Sequence, residues 1–282
     1  MPFCYDSCGV FVNIGLKKSK GVRMDSVNKT LYIPLYGKNF VSKKGLFIQD
    51  KTAEEIWNKA EFELKGRSKS KWLAYYMGVR AAVFDNWTKQ QMVAMPDAVV
   101  IHIGCGLDAR VVRVGTNGHI WYDVDFEDVI QERQKFYTQS EGYKMIAGDA
   151  RDCSWLDNVS GKNAIVVMEG VAMYLSTEQM QQLTKSLSAR FNKVALLVDT
   201  YTTFGAKMSK YKNPVKDVGV TQVYGVDDPT LYNGGQVAFV CEHTMIPQQY
   251  INQLKGVEKF IFAKLYAGGI SKKLYRLFEF LQ

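Results

Sequence analysis

VVIHIGCGLDAR, residues 99–110, is the stretch that decides the fold. Val99–Ile103 is an apolar, largely β-branched run of the kind found in a strand buried on both faces. It stops at Gly104-Cys105-Gly106 and continues as sequence that suits a helix. A strand, a glycine turn and a helix in that order commonly hold a nucleotide-like ligand, because glycine lets the backbone turn tightly and approach the ligand closely. With Ala109 the spacing reads G-x-G-x-x-A, a loose dinucleotide fingerprint that specifies little on its own. Asp108 opposes that reading, since it stands where a phosphate seeks free N–H groups and no negative charge.

Outward from this turn, strand-like and helix-like segments alternate. AVVIHI (98–103) is followed by HIWYDVD (119–125), the helical stretch FEDVIQERQKFYTQ (126–139), YKMIAGD (143–149) and NAIVVMEG (163–170). Ser176 and Gln179 form a capping box that opens a helix with Met180, Leu183 and Leu187 as its apolar stripe, and KVALLVD (193–199) is a fifth strand. The pattern predicts an α/β fold, a doubly wound and mostly parallel sheet with helices on both faces. Before it, residues 24–95 read as a helical lid or cap, with WLAYYMGVRAAVFDNW (72–87) its clearest segment; residues 1–23 read as an extension without an evident structural role. After the fifth strand, residues 200–235 interrupt the sheet as a Tyr-, Thr- and Gly-rich insertion within a domain spanning 96–282. VAFVCEH beyond it is strand-like, and FIFAKLY (260–266) and LYRLFEFL (274–281) are expected to be strands that pair antiparallel.

Composition narrows the function. The 282 residues are 47% hydrophobic, enough for a sizeable core, and no run of 18 apolar residues predicts a membrane span. The basic residues of the opening segment follow its short apolar stretch, the reverse of a secretory signal, so a cytoplasmic protein is expected. Cys4, Cys8, Cys105, Cys153 and Cys241 are odd in number and scattered, and His102, His119 and His243 are isolated, so neither a disulfide framework nor a metal site is expected. The net charge of +8 is carried by single lysines among polar residues, with an acidic surplus between Asp97 and Asp152, so no nucleic-acid partner is expected.

The acids choose the ligand. Asp108 opens the helix after the turn, Asp123 and Asp125 end the second strand, Asp149 ends the third and Glu169 the fourth. In a doubly wound sheet those strand ends converge on one crevice. A carboxylate-lined crevice disfavours a diphosphate and suits an ammonium, a sulfonium and ribose hydroxyls, which S-adenosylmethionine combines. Its carboxylate needs a cation, which Arg80 can supply from the preceding helix. Strand-end acids can instead be turn residues, and His102, inside the first strand, reads as a core histidine rather than a base.

NKTLYIPLYGK (28–38), VRAAVFD (79–85), IGCGLDAR (103–110), DVDF (123–126), GDARDCSWL (148–156) and EGVAMYL (169–175) together resemble the class I methyltransferases of the leucine carboxyl methyltransferase and tetracenomycin-type polyketide O-methyltransferase group. The resemblance implies a Rossmann-like, seven-stranded sheet, S-adenosylmethionine as cofactor, and methyl transfer to an oxygen. It implies that Arg80, with Lys29, holds the methionine carboxylate, that Gly104 lies against the cofactor and that Asp125 binds the ribose; the glycine turn and the strand end by themselves add Gly106 to the cofactor side and leave Asp123 as the other ribose candidate. Asp149 and Ala150 would border the adenine, Glu169 would take the ammonium or the ribose side, and Tyr174 with the 200–235 insertion would face a small-molecule acceptor. A protein C-terminal carboxylate is the alternative acceptor. An NAD-dependent oxidoreductase and a non-catalytic cofactor-binding module are the alternatives outside the class.

Overall fold

The computed structural model describes residues 31–59, 69–211 and 223–282. Its strands are β1 (Val99–Ile103), β2 (Trp121–Asp125), β3 (Tyr143–Ala147), β4 (Asn163–Met168), β5 (Lys193–Tyr201), β6 (Ala238–His243) and β7 (Tyr275–Leu281). They form one sheet in the order β3-β2-β1-β4-β5-β7-β6. β1 to β5 are parallel to one another, and β7 runs antiparallel between β5 and β6. All seven lie within a residue or two of the apolar runs that predict them.

Helices α1 (Tyr32–Lys43), α2 (Lys51–Lys59), α3 (Lys71–Ala94), α4 (Arg110–Val114), α5 (Glu127–Arg133), α6 (Thr177–Arg190), α7 (Thr203–Tyr211), α8 (Gln248–Ile251), α9 (Gly256–Tyr266) and α10 (Gly269–Lys272) complete the described chain. Alternation along the strands sends Val100, Ile165, Val167, Leu197 and Leu277 to the face covered by α1, α3 and α9. Ile101, Val166, Leu196, Phe278 and Phe280 go to the face covered by α6, through Met180, Leu183 and Leu187. The capping box of α6 is present, with Ser176 and Gln179 bonding each other's backbone N–H. The described part of the expected cap, α1 to α3, packs as a layer of this core, since Tyr75, Val79 and Phe84 of α3 are wholly buried within it.

One expected strand is a helix. FIFAKLY (260–266) lies in α9 and not beside β7. Its buried rings, Phe262 and Tyr266, are four residues apart and stack at 4.9 Å while Phe260 faces solvent, a helical period. The antiparallel neighbours of β7 are β5 and β6 instead. The insertion also holds more regular structure than its composition suggests: β5 continues to Tyr201, α7 follows, and Tyr224 and Gly225 return to the sheet rim.

Candidate active site

β1 hands the chain to its glycine turn at the carboxyl rim of the sheet. Gly104 (φ +67°) and Gly106 (φ +52°) occupy left-handed backbone that side-chain-bearing residues rarely adopt, and a Cβ on Gly104 would lie 2.2 Å from Val171 Cγ2. The N–H of Gly106 donates to Asp125 Oδ2 at 2.8 Å, and the N–H of Phe126 donates to Oδ1 at 2.8 Å. Asp125 thus ends β2 with its carboxylate held against the turn, and each oxygen keeps a lone pair for a further donor. Burial pushes this carboxyl up to about 6, although the two N–H bonds and Arg133 oppose the rise.

Asp123 is different. It lies two residues back in β2, its side chain is inaccessible, and its oxygens accept from Arg133, from Tyr143 Oη at 2.7 Å and from Trp121 Nε1 at 2.9 Å. Burial would raise its carboxyl, but Arg133 and His102 hold it down at about 2. The expectation that Asp123 binds ribose is therefore corrected: its hydrogen-bonding capacity is taken up inside the protein, tying β2 to α5 and β3. His102 is a core residue as expected, but its partners are side chains. Arg110 Nη1 lies 2.9 Å from its Nε2, and its Nδ1 is 3.4 Å from Asp123. An arginine can only donate, so Nε2 carries the lone pair and Nδ1 the proton. Burial and Arg110 lower its pKa, leaving it neutral and shielded from the crevice.

Glu169 and Asp108 belong to a buried ion network that sequence reading missed. Glu169, just after β4, accepts from Arg80 Nε at 2.9 Å and from Arg110, and lies 3.9 Å from Lys38 Nζ. Asp108 pairs with Lys38 at 2.8 Å, Arg113 at 2.7 Å and Arg110 at 3.3 Å. Asp85 and Asp50 complete the partners of Arg110 and Arg113, and Asp199 of β5 lies 3.3 Å from Arg80 Nη1. Asp199 also accepts from the N–H of Gly170 at 2.6 Å. Burial pushes the Glu169 carboxyl up, but Lys38, Arg80 and Arg110 pull it down to about 2. The expected carboxylate-lined crevice is thus a mixed-charge site, in which five named acids face four named bases. Within this network the acids outnumber the bases by one. Lys38 and Arg110 stand inside the sequence motifs already quoted, and Asp199 breaks an apolar strand just as Glu169 does, so those signals were available.

The other expected residues fall as follows. Asp149 is half-buried and pairs with Arg151, while its carbonyl accepts from Trp155 Nε1 at 3.2 Å. Ala150 is half-buried beside the same core face as Trp155. Tyr174 closes a short 3-10 turn, Ala172–Tyr174, and is half-buried. The N–H of Tyr224 donates to the carbonyl of Met173 at 2.8 Å, which brings the end of the insertion to that turn. Tyr232 packs into the core against Phe280, and Tyr201 meets Tyr275 edge-on at 5.0 Å, whereas Phe204 is 54% exposed. Lys29 lies outside the described residues.

A glycine turn after β1, an acid at the end of β2, and a seven-stranded sheet with only β7 reversed together define the class I, Rossmann-like methyltransferase fold. The family model for leucine carboxyl methyltransferase matches residues 23–188, and the chain belongs to that family. It is an S-adenosylmethionine-dependent methyltransferase. The tetracenomycin polyketide synthesis O-methyltransferase TcmP of Streptomyces glaucescens is 26% identical over 247 residues, covering 86% of this chain and 92% of that one. The S-adenosyl-L-methionine-dependent methyltransferase dpfgK of Gibberella zeae is 25% identical over 181 residues, covering 58% and 60%. Among solved structures, a DUF574 family protein from Streptomyces avermitilis superposes with a TM-score of 0.53 at 8% identity, covering 82% of this chain and 89% of that one.

Proposed function

We propose that this enzyme transfers the methyl group to an oxygen of a small-molecule acceptor, with the cofactor seated across the glycine turn. The observation that carries the cofactor's placement is the Asp125 carboxylate, fixed by Gly106 and Phe126 with a lone pair left on each oxygen. A ribose diol needs such a pair of acceptors. The donor set also fits the methionine end: Arg80 lies beside Gly170, and Glu169 and Asp199 offer anions for an ammonium. Asp149 and Ala150 border the adenine side, and Tyr174 with residues 223–226 borders the acceptor side. TcmP, named for an O-methyl transfer in polyketide synthesis, matches over most of both chains and supports a small polyketide-like or related acceptor.

When bound, the cofactor supplies an electrophilic methyl carbon on a sulfonium. The chain supplies alignment and dryness. Methyl transfer is an in-line displacement, so holding both reactants in register provides most of the acceleration. A carboxylate acceptor is already a nucleophile at neutral pH, while a hydroxyl benefits from a base. His102 is not that base, because Arg110 occupies its Nε2 and it is buried beneath the turn. Calorimetry with S-adenosylhomocysteine and with NAD tests the seat: micromolar binding of the first is expected, and affinity for NAD alone would overturn the reading. Label transfer from methyl-labelled cofactor into small carboxylic acids and phenols, against a leucine-ending peptide, tests the acceptor class. Labelling of the peptide alone would transfer the activity to protein carboxyl ends.

A further inference from the structure

A second cluster of reactive side chains lies on the edge of the sheet, away from the glycine turn. β6 and β7 pair so that Cys241 stands opposite Glu279, with His243 two residues further along β6. Glu279 Oε1 accepts from Trp87 Nε1 at 3.0 Å and from Gln91 Nε2 at 3.2 Å, both on α3. Its Oε2 faces the other way, 2.6 Å from His243 Nε2 and 3.4 Å from Cys241 Sγ, and Sγ lies 3.5 Å from that same nitrogen. A sulfur, an imidazole nitrogen and a carboxylate oxygen therefore meet around one point.

We propose that Cys241, His243 and Glu279 form a three-ligand site for a zinc-class divalent cation. The donor set is a borderline-soft one that suits zinc. A tetrahedral ion with bonds of about 2.0–2.3 Å holds its ligand atoms roughly 3.3–3.6 Å apart. Two of the three separations already match, and the third, between His243 and Glu279, must open by about 0.7 Å. The two donors on α3 fix the carboxylate through its other oxygen, as outer-shell partners of metal ligands do. Access is open as well. His243 is 34% exposed and borders a cavity of about 250 Å³ shared with Thr244, Ser271 and Lys272, so a solvent molecule can complete the coordination. On binding, the Cys241 thiol releases its proton to solvent and the histidine binds through its neutral Nε2.

The site is a clamp and not part of the methyl-transfer centre. β5, β7 and β4 separate β6 from β1, four strand spacings or on the order of 19 Å. An ion there ties the edge strand β6 to β7 and, through Glu279, to α3.

The test uses the full-length protein, stripped with chelator and titrated with cobalt(II), then with zinc. One equivalent should bind with a thiolate-to-cobalt charge-transfer band and the visible bands of a tetrahedral ion, and zinc should bleach both and raise the melting temperature. Cys241→Ser should abolish the charge-transfer band, and His243→Gln should weaken cobalt binding at least about tenfold. Cys4, Cys8, Cys105 and Cys153 remain in both variants, so a band that survives Cys241→Ser assigns the metal to another thiol and overturns the proposal. Absence of the band in the unaltered protein overturns it equally. Affinity for S-adenosylhomocysteine serves as the folding control for both variants.

Discussion

S-adenosylhomocysteine, the demethylated product, should bind about tenfold more weakly near pH 5 than near pH 7.5, and Asp125→Asn should abolish that difference. Burial lifts the Asp125 carboxyl to about 6, and a protonated carboxyl offers one acceptor fewer to a ribose diol. One proton taken up below about pH 6 weakens binding by up to about 1.4 kcal/mol per pH unit, which accumulates to roughly tenfold at pH 5. The ligand's own amine, carboxyl and adenine titrate outside this window, and burial and Arg110 lower the pKa of His102. The stability consequence has the opposite sign. The folded carboxyl binds its proton more tightly than the unfolded one, so stability falls as pH rises from the ordinary 3.8 through about 6, by at most about 3 kcal/mol. Asp125→Asn removes that burden but turns an amide donor toward a backbone N–H, a cost of about 1–3 kcal/mol, so the two effects roughly offset and the variant folds. Isothermal titration calorimetry across about pH 5 to 7.5 and urea unfolding of both proteins provide the data. A flat affinity profile in the unaltered protein, or an inflection that persists in Asp125→Asn, would refute the assignment of Asp125 to the ribose.

Glu169→Gln should weaken S-adenosylhomocysteine binding by about 1–3 kcal/mol in calorimetry, and unchanged affinity in a folded variant would remove Glu169 from the cofactor site. Arg80→Ala should weaken cofactor binding to a similar extent; a loss confined to acceptor turnover would place Arg80 on the acceptor side instead. Asp123→Asn strands Arg133 without its anion and should cost about 3–5 kcal/mol in urea unfolding, while the folded fraction keeps its cofactor affinity. Gly104→Ala should cost about 2–4 kcal/mol, because it combines a strained positive φ with a collision against Val171. Adding Val171→Ala should restore the steric part of that loss and not the backbone part, read from the thermal midpoint of each variant.

The parallel half of the sheet was legible because a strand buried on both faces needs only a short apolar run, and Val99–Ile103 and Asn163–Met168 supply it without local competition. FIFAKLY was not legible for the same reason turned around. A short apolar run fits a strand or a buried helix equally, and only the packing of Phe262 and Tyr266 decides between them. Asp125 could be placed from its position at a strand end. Asp123, two residues away and identical in chemistry, could be separated from it only by Arg133 and Tyr143, whose approach depends on how α5 and β3 fold back. The charge of the crevice was misjudged because strand ends reveal acids along the chain, whereas their counter-ions come from α1, α3 and α4. Lys38 and Asp108 are seventy positions apart in sequence and meet only after α1 has packed. Neither could the grouping of Cys241 and His243 with Glu279 be read from spacing, since it arises from the antiparallel register of β7.

That register also sets an order of assembly. β7 is the last strand in the chain yet sits inside the sheet, bonded along both sides, with Phe278 and Phe280 fully enclosed. Until residues 275–281 are in place, β5 exposes an apolar, unpaired flank and β6 has no neighbour to join. Such a flank invites pairing with other chains, so the enzyme is most association-prone until β7 has docked. Deleting residues 275–281 should leave that condition permanent, giving insoluble protein in place of a working one.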